Sequence, residues 1–337
     1  MTSAVAPTYL DLFLAPLAEQ LARPDVTDIY VNEPGVLWVE ALGGRIERQA
    51  IPDLTEARLW RLAQQIGSAT CQGISREHPL LAARLPGGER VQVVAPPATR
   101  SGVVLAIRKY VADDLSLLDL EQQGIFASTT GSAVVNPHEA RLAALYDAGQ
   151  WRAFLQTAVR ARRTILISGG TSTGKTTILN ALIREIDPAE RLVFLEDTPE
   201  LALRHPNAIG LVAPRDALAE ASVTTEDLLV ASLRLRPDRI ILGELRGPEA
   251  FTFLRAVNTG HPGSLTTIHA DSPAGAIEQL TLLTLQTAQS LRREEIRSYI
   301  ESVVDIVIQL KRTGNNRVIE QVSWRRHHTH TYRESES

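Results

Sequence analysis

The segment Thr164–Ile183, TILISGGTSTGKTTILNALI, decides how this chain is read. Its first five residues form an apolar run of the kind a buried strand carries. Its last part, continuing through ILNALIREI, has apolar residues at helical spacing. Between them, Gly169–Thr177 (GGTSTGKTT) fits G-x-x-x-x-G-K-[ST]. A strand before and a helix after are the context that this motif requires. Small residues let the backbone wrap a triphosphate with its N–H groups pointing inward, and the helix adds its positive N-terminus. Gly169, Gly170, Thr171, Ser172, Thr173, Gly174, Lys175, Thr176 and Thr177 are therefore the expected nucleotide-binding residues. Lys175 is placed to reach the β- and γ-phosphates, and the Thr176 hydroxyl to ligate Mg²⁺. The expected ligands are ATP and Mg²⁺, and nothing in the loop says what the energy drives.

Hydrolysis needs a carboxylate on a neighbouring strand to orient water and help hold the metal. Two strand ends offer one. Glu196 and Asp197 follow the apolar run Leu192–Leu195 (VFLEDTPEL), and Glu244 follows Ile240–Gly243 (IILGELRG). Ligands of parallel sheets bind at the carboxyl ends of the strands. Glu244 is the expected catalytic residue, positioning or activating the lytic water. The usual motif places Asp just before this Glu, but Gly243 stands there. Magnesium would then rely on Thr176, the phosphates and waters, with Glu196 or Asp197 as outer-shell help. A solvated strand end or a turn or helix cap is the plainer role for these acids.

Downstream, Asn258–Ala270 reads NTGHPGSLTTIHA. Gly260, Pro262 and Gly263 make a turn, and SLTTIHA reads as a strand with His269 near its end. His269 is expected to sense the γ-phosphate or to transmit its loss to a neighbouring subunit. His261 is read as structural. No Cys/His spacing suggests zinc. Arginine supplied by a neighbour often completes sites of this kind. Arg90, Arg108, Arg234 and Arg236 are the candidates, with a solvated or salt-bridged role as the alternative for each.

Strands at Leu192–Leu195, about Ile209–Val212 and Ile240–Leu242 alternate with helical segments, which implies βαβ units and a mostly parallel sheet. The first 110 residues read as a smaller α+β domain. Asp28–Glu33 and Val36–Glu40 flank Pro34-Gly35 as a hairpin. Thr55 is placed to N-cap a helix reaching about Ala69, with Leu59, Leu62, Ala63 and Ile66 on one face. Arg90–Ala95 and Val103–Arg108 alternate like strands. Residues 111–137, which include the Ser/Thr/Gly-rich ASTTGSAVVNP and one short helix, read as a linker. Residues 138–337 are the second domain. Its last 27 residues are read as a basic stretch with His327, His328 and His330, ending in a flexible tail.

Two domains suit 337 residues at roughly 100–200 residues each. With 35 Lys+Arg against 39 Asp+Glu, the net charge is −4. Proteins that grip nucleic acid over a broad face usually carry a basic excess, so that class is disfavoured. Cys71 is the one cysteine, which excludes an intrachain disulfide and suits a reducing compartment. No apolar run approaches the roughly 18–20 residues that span a membrane. The N-terminal stretch carries Asp11 and no basic region, and reads as an amphipathic helix rather than a signal peptide. A cytoplasmic location is expected, with any membrane contact peripheral, through that stretch or the basic tail.

Four motifs in order, GGTSTGKTT, RLVFLEDTPEL, LRLRPDRIILGELRG and NTGHPGSLTTIHA, resemble the type II/type IV secretion ATPase superfamily. In that family they are the Walker A loop, the Asp box, a degenerate Walker B and the His box. DIYVNEPGVLWVE, GERVQVVAPPATRSGVVLAIRK, SLLDLEQQGIF and WRAFLQTAVRARRTILISGG resemble the branch of P-type DNA transfer ATPases of type IV secretion, the conjugation-type members. The resemblance covers about residues 20–310. Many type II and pilus-extension members carry a four-cysteine zinc module, which this chain lacks.

The resemblance implies an α/β fold: a C-terminal RecA-like P-loop ATPase domain after the α+β N-terminal domain. It implies a homo-hexameric ring at the cytoplasmic face of the bacterial inner membrane, with each nucleotide between the two domains of a subunit. By motif match, Lys175 and Thr176 are the Walker A pair, Glu244 the catalytic glutamate, Glu196 the Asp-box acid and His269 the His-box residue. Arg90 and Arg108 match N-terminal-domain positions that close over the nucleotide. Inner-membrane channel components and another cytoplasmic secretion ATPase are the implied partners. The expected function is ATP-driven type IV secretion, either substrate or DNA transfer or pilus assembly. A type II secretion or pilus extension/retraction ATPase is the alternative. A nucleic-acid motor and a low-turnover, nucleotide-gated assembly factor are the remaining ones.

Overall fold

Alternating apolar residues in the N-terminal part close one sheet, and continuous apolar runs build a second. The structure is a computed structural model. It describes residues 8–110, 116–122, 124–127, 129, 137–213, 220–288 and 290–325. Thr8 starts α1 (Tyr9–Leu14) through a capping box: its hydroxyl accepts the Asp11 N–H, and the Asp11 carboxylate accepts the Thr8 N–H at 2.7 Å. A 3₁₀ turn (Ala15–Leu17) and α2 (Ala18–Ala22) lead into β1 (Val26–Glu33), β2 (Val36–Ala41) and β3 (Arg45–Ala50). Then come α3 (Glu56–Ala69), β4 (Leu80–Arg84), β5 (Arg90–Val94) and β6 (Val104–Arg108). The sheet order is β3-β2-β1-β6-β5-β4, antiparallel throughout.

Thr55 caps α3 as its position predicts, accepting the Arg58 N–H at 3.2 Å, and Leu59, Leu62, Ala63 and Ile66 are buried. Leu10, Phe13 and Leu14 pack into that same core, so the N-terminal stretch turns an apolar face onto the domain and leaves Tyr9 and Leu12 exposed. β3 and β4 were not expected. In β3, RIERQA is mostly polar, because an edge strand with outward residues shows little apolar alternation. Within the expected linker, α4 (Leu117–Gln122) buries no residue. Residues 111–115, 123, 128, 130–136 and 326–337, the last with His327, His328 and His330, lie outside the described residues.

The second sheet grows from α5 (Pro137–Asp147) and α6 (Trp151–Arg160) into β7 (Ile165–Gly169), α7 (Lys175–Ile183), β8 (Leu192–Glu196) and β9 (Ala208–Val212). It continues with α8 (Thr225–Ser232), β10 (Arg239–Leu242), α9 (Glu249–Asn258), β11 (Leu265–Ile268), α10 (Pro273–Leu285) and α11 (Arg293–Val303). β12 (Ile306–Thr313) and β13 (Asn316–Trp324) close it. The order is β13-β12-β7-β11-β10-β8-β9, and every pairing is parallel except β12 with β13. This is the expected mostly parallel sheet, its central strands buried along their whole length. The terminal hairpin occupies the first part of the last 27 residues, and the tail expected after it lies outside the described residues. β13 sits at the sheet edge with Asn316–Gln321 exposed, so no buried-strand pattern marks it.

The N-terminal domain docks on the β9 edge. Ala98–Arg100 runs antiparallel to β9: Val212 N–H donates to the Ala98 carbonyl at 2.9 Å and Arg100 N–H to the Gly210 carbonyl at 3.0 Å. Arg191 is fully buried at the junction. Its Nη1 donates to Asn32 Oδ1 at 2.7 Å and Asn207 Oδ1 at 2.6 Å, and its guanidinium lies 4.1 Å from the Tyr30 ring centre. Burial pulls its pKa down to about 10. Arg236 reaches Glu40 across the same junction at 2.6 Å. Tyr30, Val94, Val104 and Ala106 share one apolar core with Val193, Leu211, Leu229 and Leu235.

Candidate active site

The parallel sheet lines up the four motifs. β7, β11, β10 and β8 are successive neighbours, and their carboxyl ends carry the phosphate loop, His269, Glu244 and Glu196 in that order. This is where an α/β sheet binds its ligand. A cavity of about 390 Å³ opens there, lined by Thr171–Thr177, Glu196, Asp197, Glu200, Glu244, Arg246, His269 and Arg317 among others. Gly174 takes a left-handed backbone (φ +95°) just before α7, a conformation that glycine adopts without a steric penalty.

Lys175 folds back on the loop. Its Nζ donates to the Gly169 carbonyl at 2.9 Å and the Gly170 carbonyl at 3.2 Å, and lies 3.4 Å from His269 Nδ1. Burial pulls its pKa below the ordinary lysine value. Triphosphate oxygens would replace those carbonyls as partners. Thr176, on the first turn of α7, donates its hydroxyl to Glu200 Oε2 at 3.1 Å.

Glu244 is largely buried and held from two sides, by His269 Nε2 at 2.8 Å and Arg246 Nη2 at 2.5 Å. Arg246 also reaches Asp197 Oδ2 at 3.2 Å. Its pKa is raised, first by the Glu244 hydrogen bond. Glu249, buried at the start of α9, accepts the Arg246 and Gly247 N–H groups at 2.8 and 2.9 Å and fixes that turn.

Glu196 is turned inward. Its Oε1 accepts the N–H groups of Glu200 and Leu201, both at 2.8 Å, and its Oε2 forms an ion pair with Arg100 of the N-terminal domain. It lines the cavity, yet its carboxylate is committed to the protein. The strand-end position was readable from sequence; the partner, 96 residues away, was not.

Arg90 and Arg108 are placed elsewhere. They line a separate cavity of about 640 Å³ with Arg84, Arg234, Arg236 and His261, and neither lines the phosphate-loop cavity. Among the described residues that cavity is lined by the second domain alone. The reason is topological: the N-terminal domain docks on β9, at the sheet's far edge from the phosphate loop on β7. Arg236 is also occupied by Glu40 and Asp238. His261 Nδ1 meets the Pro237 carbonyl at 2.9 Å, a structural bond.

Arg317 was missed. It stands on β13 with its Cδ 3.2 Å from where a β-carbon on Gly174 would lie, so the hairpin walls the loop. The apolar run IVIQL before it and the turn pair Gly314-Asn315 were the available signals for that hairpin.

Comparison with known proteins finds close relatives over most of the chain. The family model described as "Type II/IV secretion system protein" matches residues 14–335. The chain is 37% identical over 323 residues to the type IV secretion system protein VirB11 of Bartonella quintana, covering 91% of this chain and 90% of that one. It is 41% identical over 310 residues to the type IV secretion system protein PtlH of Bordetella pertussis, covering 90% of each. Its structure is similar to the crystal structure of the VirB11 ATPase from the Brucella suis type IV secretion system in complex with sulphate. The TM-score is 0.88 at 37% identity, covering 94% of this chain and 98% of that one.

Proposed function

The chain belongs to the type II/IV secretion system protein family and is a type IV secretion ATPase; we propose that it works as a homo-hexameric ring on the cytoplasmic face of the bacterial inner membrane. Hydrolysis there drives domain motions that power substrate or DNA transfer or pilus assembly, with residues 111–137 as linker. Channel components of the membrane and another cytoplasmic secretion ATPase are the partners. No helix of the described residues is long and apolar enough to cross a membrane, which is compatible with a peripheral position.

The observation that carries the reading is the convergence of Lys175, His269 and Glu244 beside the phosphate loop. Lys175 and the loop N–H groups take the phosphates. Glu244 orients the attacking water, and His269, between Glu244 and Lys175, responds to the γ-phosphate. The donor set suits Mg²⁺. The Thr176 hydroxyl stands at the α7 N-terminus beside a carboxylate, both hard oxygen groups. Among the described residues no group of three or more His, Cys, Asp or Glu could hold a metal unaided. Thr176 would therefore hold it together with phosphate oxygens and water, and the ion, when bound, neutralises charge on the β- and γ-phosphates.

Arg90 and Arg108, which line a cavity separate from this chain's own phosphate loop, serve the nucleotide of a neighbouring subunit. The secretion relatives favour type IV over type II or pilus motors.

The test is mutational. Lys175→Ala abolishes hydrolysis and weakens ATP binding, whereas Glu244→Gln binds ATP without turnover. Wild-type turnover in Glu244→Gln would remove Glu244 from its role. A monomer under every condition with ATP and Mg²⁺ would overturn the ring.

A further inference from the structure

The geometry points to Arg100 as a positioning residue of the ATPase, acting from the N-terminal domain through Glu196. This rests on the ATPase reading above and names how the docked domain acts on that site. Arg100 grips both ends of one turn, residues 196–201. It pairs with the Glu196 carboxylate, and its Nη1 donates to the Leu201 carbonyl at 2.8 Å. Glu196 Oε1 closes the same turn by accepting the N–H groups of Glu200 and Leu201.

The turn carries two working carboxylates. Glu200 accepts the Thr176 hydroxyl, and Asp197 holds Arg246, which holds Glu244. Arg100 therefore stands one step behind both the metal-side threonine and the water-side glutamate. Its guanidinium side chain is 14% exposed and that of Glu196 3%, so little water screens the pair. Removing the cation would leave a buried carboxylate uncompensated, and the turn would have to open to hydrate it.

The fold makes room for this reach. Arg100 is anchored by its own backbone on β9, and its stem crosses Gly210: a β-carbon there would lie 2.6 Å from Arg100 Cδ. A clasp that merely held the domains together would not need to end on the turn that presents Glu200. Other contacts already hold them, namely Arg191 with Asn32 and Arg236 with Glu40. Withdrawal of the N-terminal domain from β9 would take Arg100 with it and loosen the turn. The docking of one domain thus sets the geometry of the other's site.

The test compares full-length wild type, Arg100→Ala, Arg100→Lys and Asn32→Ala. Asn32→Ala breaks a different contact across the junction and serves as the control for simple loosening. Two readouts are taken: amide hydrogen exchange at Glu200 and Leu201 without nucleotide, and the Mg²⁺ concentration for half-maximal ATP hydrolysis. In Arg100→Ala the two amides exchange about tenfold faster and the Mg²⁺ requirement rises about tenfold, the low end for residues behind a metal ligand. Arg100→Lys falls between, because an ammonium keeps the charge without the planar fork. Asn32→Ala lowers the melting temperature and moves neither readout. If Arg100→Ala lowers only the melting temperature, or Asn32→Ala shifts both readouts equally, Arg100 is only a clasp. A wild type without turnover would overturn the ATPase reading itself, whereas an active wild type with indifferent Arg100 variants would overturn this inference alone.

Discussion

Gly243 leaves the space that Glu196 occupies: a β-carbon at position 243 would stand 3.3 Å from Glu196 Cγ. The two residues end neighbouring parallel strands, β10 and β8. A side chain at position 243 would therefore meet an acid from β8. The degenerate motif is therefore a packing solution. Gly243→Asp should force Glu196 aside and put two carboxylates in one buried space. The expected loss is about 1–3 kcal/mol of stability, as for other overpacked sites, with no gain in turnover. Urea unfolding and steady-state ATPase rates check this, and a more active variant would refute the packing account.

Arg90 and Arg108 line their own cavity away from the phosphate loop, so their service to a neighbour can be seen by mixing. An Arg90→Ala/Arg108→Ala protein and a Lys175→Ala protein should each be inactive. Random mixed rings place an intact phosphate loop beside intact arginines at about a quarter of the sites, and that share of activity should return. Mixed rings that stay inactive would show that the arginines act elsewhere.

Arg317 reaches the phosphate loop from the last hairpin of the sheet. It is exposed, so its pull on a phosphate is modest. Arg317→Ala should raise the KM for ATP by about two- to fivefold, the range of an exposed ion pair, and leave kcat nearly unchanged. A fall in kcat at constant KM would place Arg317 at the transition state instead.

His261 gives stability a pH dependence. Burial depresses its pKa below the ordinary 6.5 and Arg236 adds to this, while the Pro237 carbonyl and Asp238 act in the other sense. The folded chain then binds fewer protons than the unfolded chain below pH 6.5. Its contribution is fully present above that value and is lost as pH falls through the folded pKa. His261→Gln keeps a donor for Pro237 without titrating. Its melting temperature should fall less than that of wild type on acidification below that value, and equal slopes would exclude His261 as the cause.

Residues close together in sequence wrote the local elements. Thr164–Ile183 specified strand, phosphate loop and helix, because backbone geometry and helical spacing depend on near neighbours. The apolar runs ending in Glu196, Glu244 and His269 likewise announced strand ends, and parallel strands collect their ends on one edge. β3 and β13 escaped because edge strands bury too little to enforce alternation. Side-chain partnerships between distant segments followed a different logic. Arg100 with Glu196, Arg317 beside Gly174, and the placing of Arg90 and Arg108 on a separate cavity all depend on how the N-terminal domain docks on β9 and how the last hairpin extends the sheet beside β7. Those contacts join segments roughly a hundred residues apart, and packing selects them after the local elements exist.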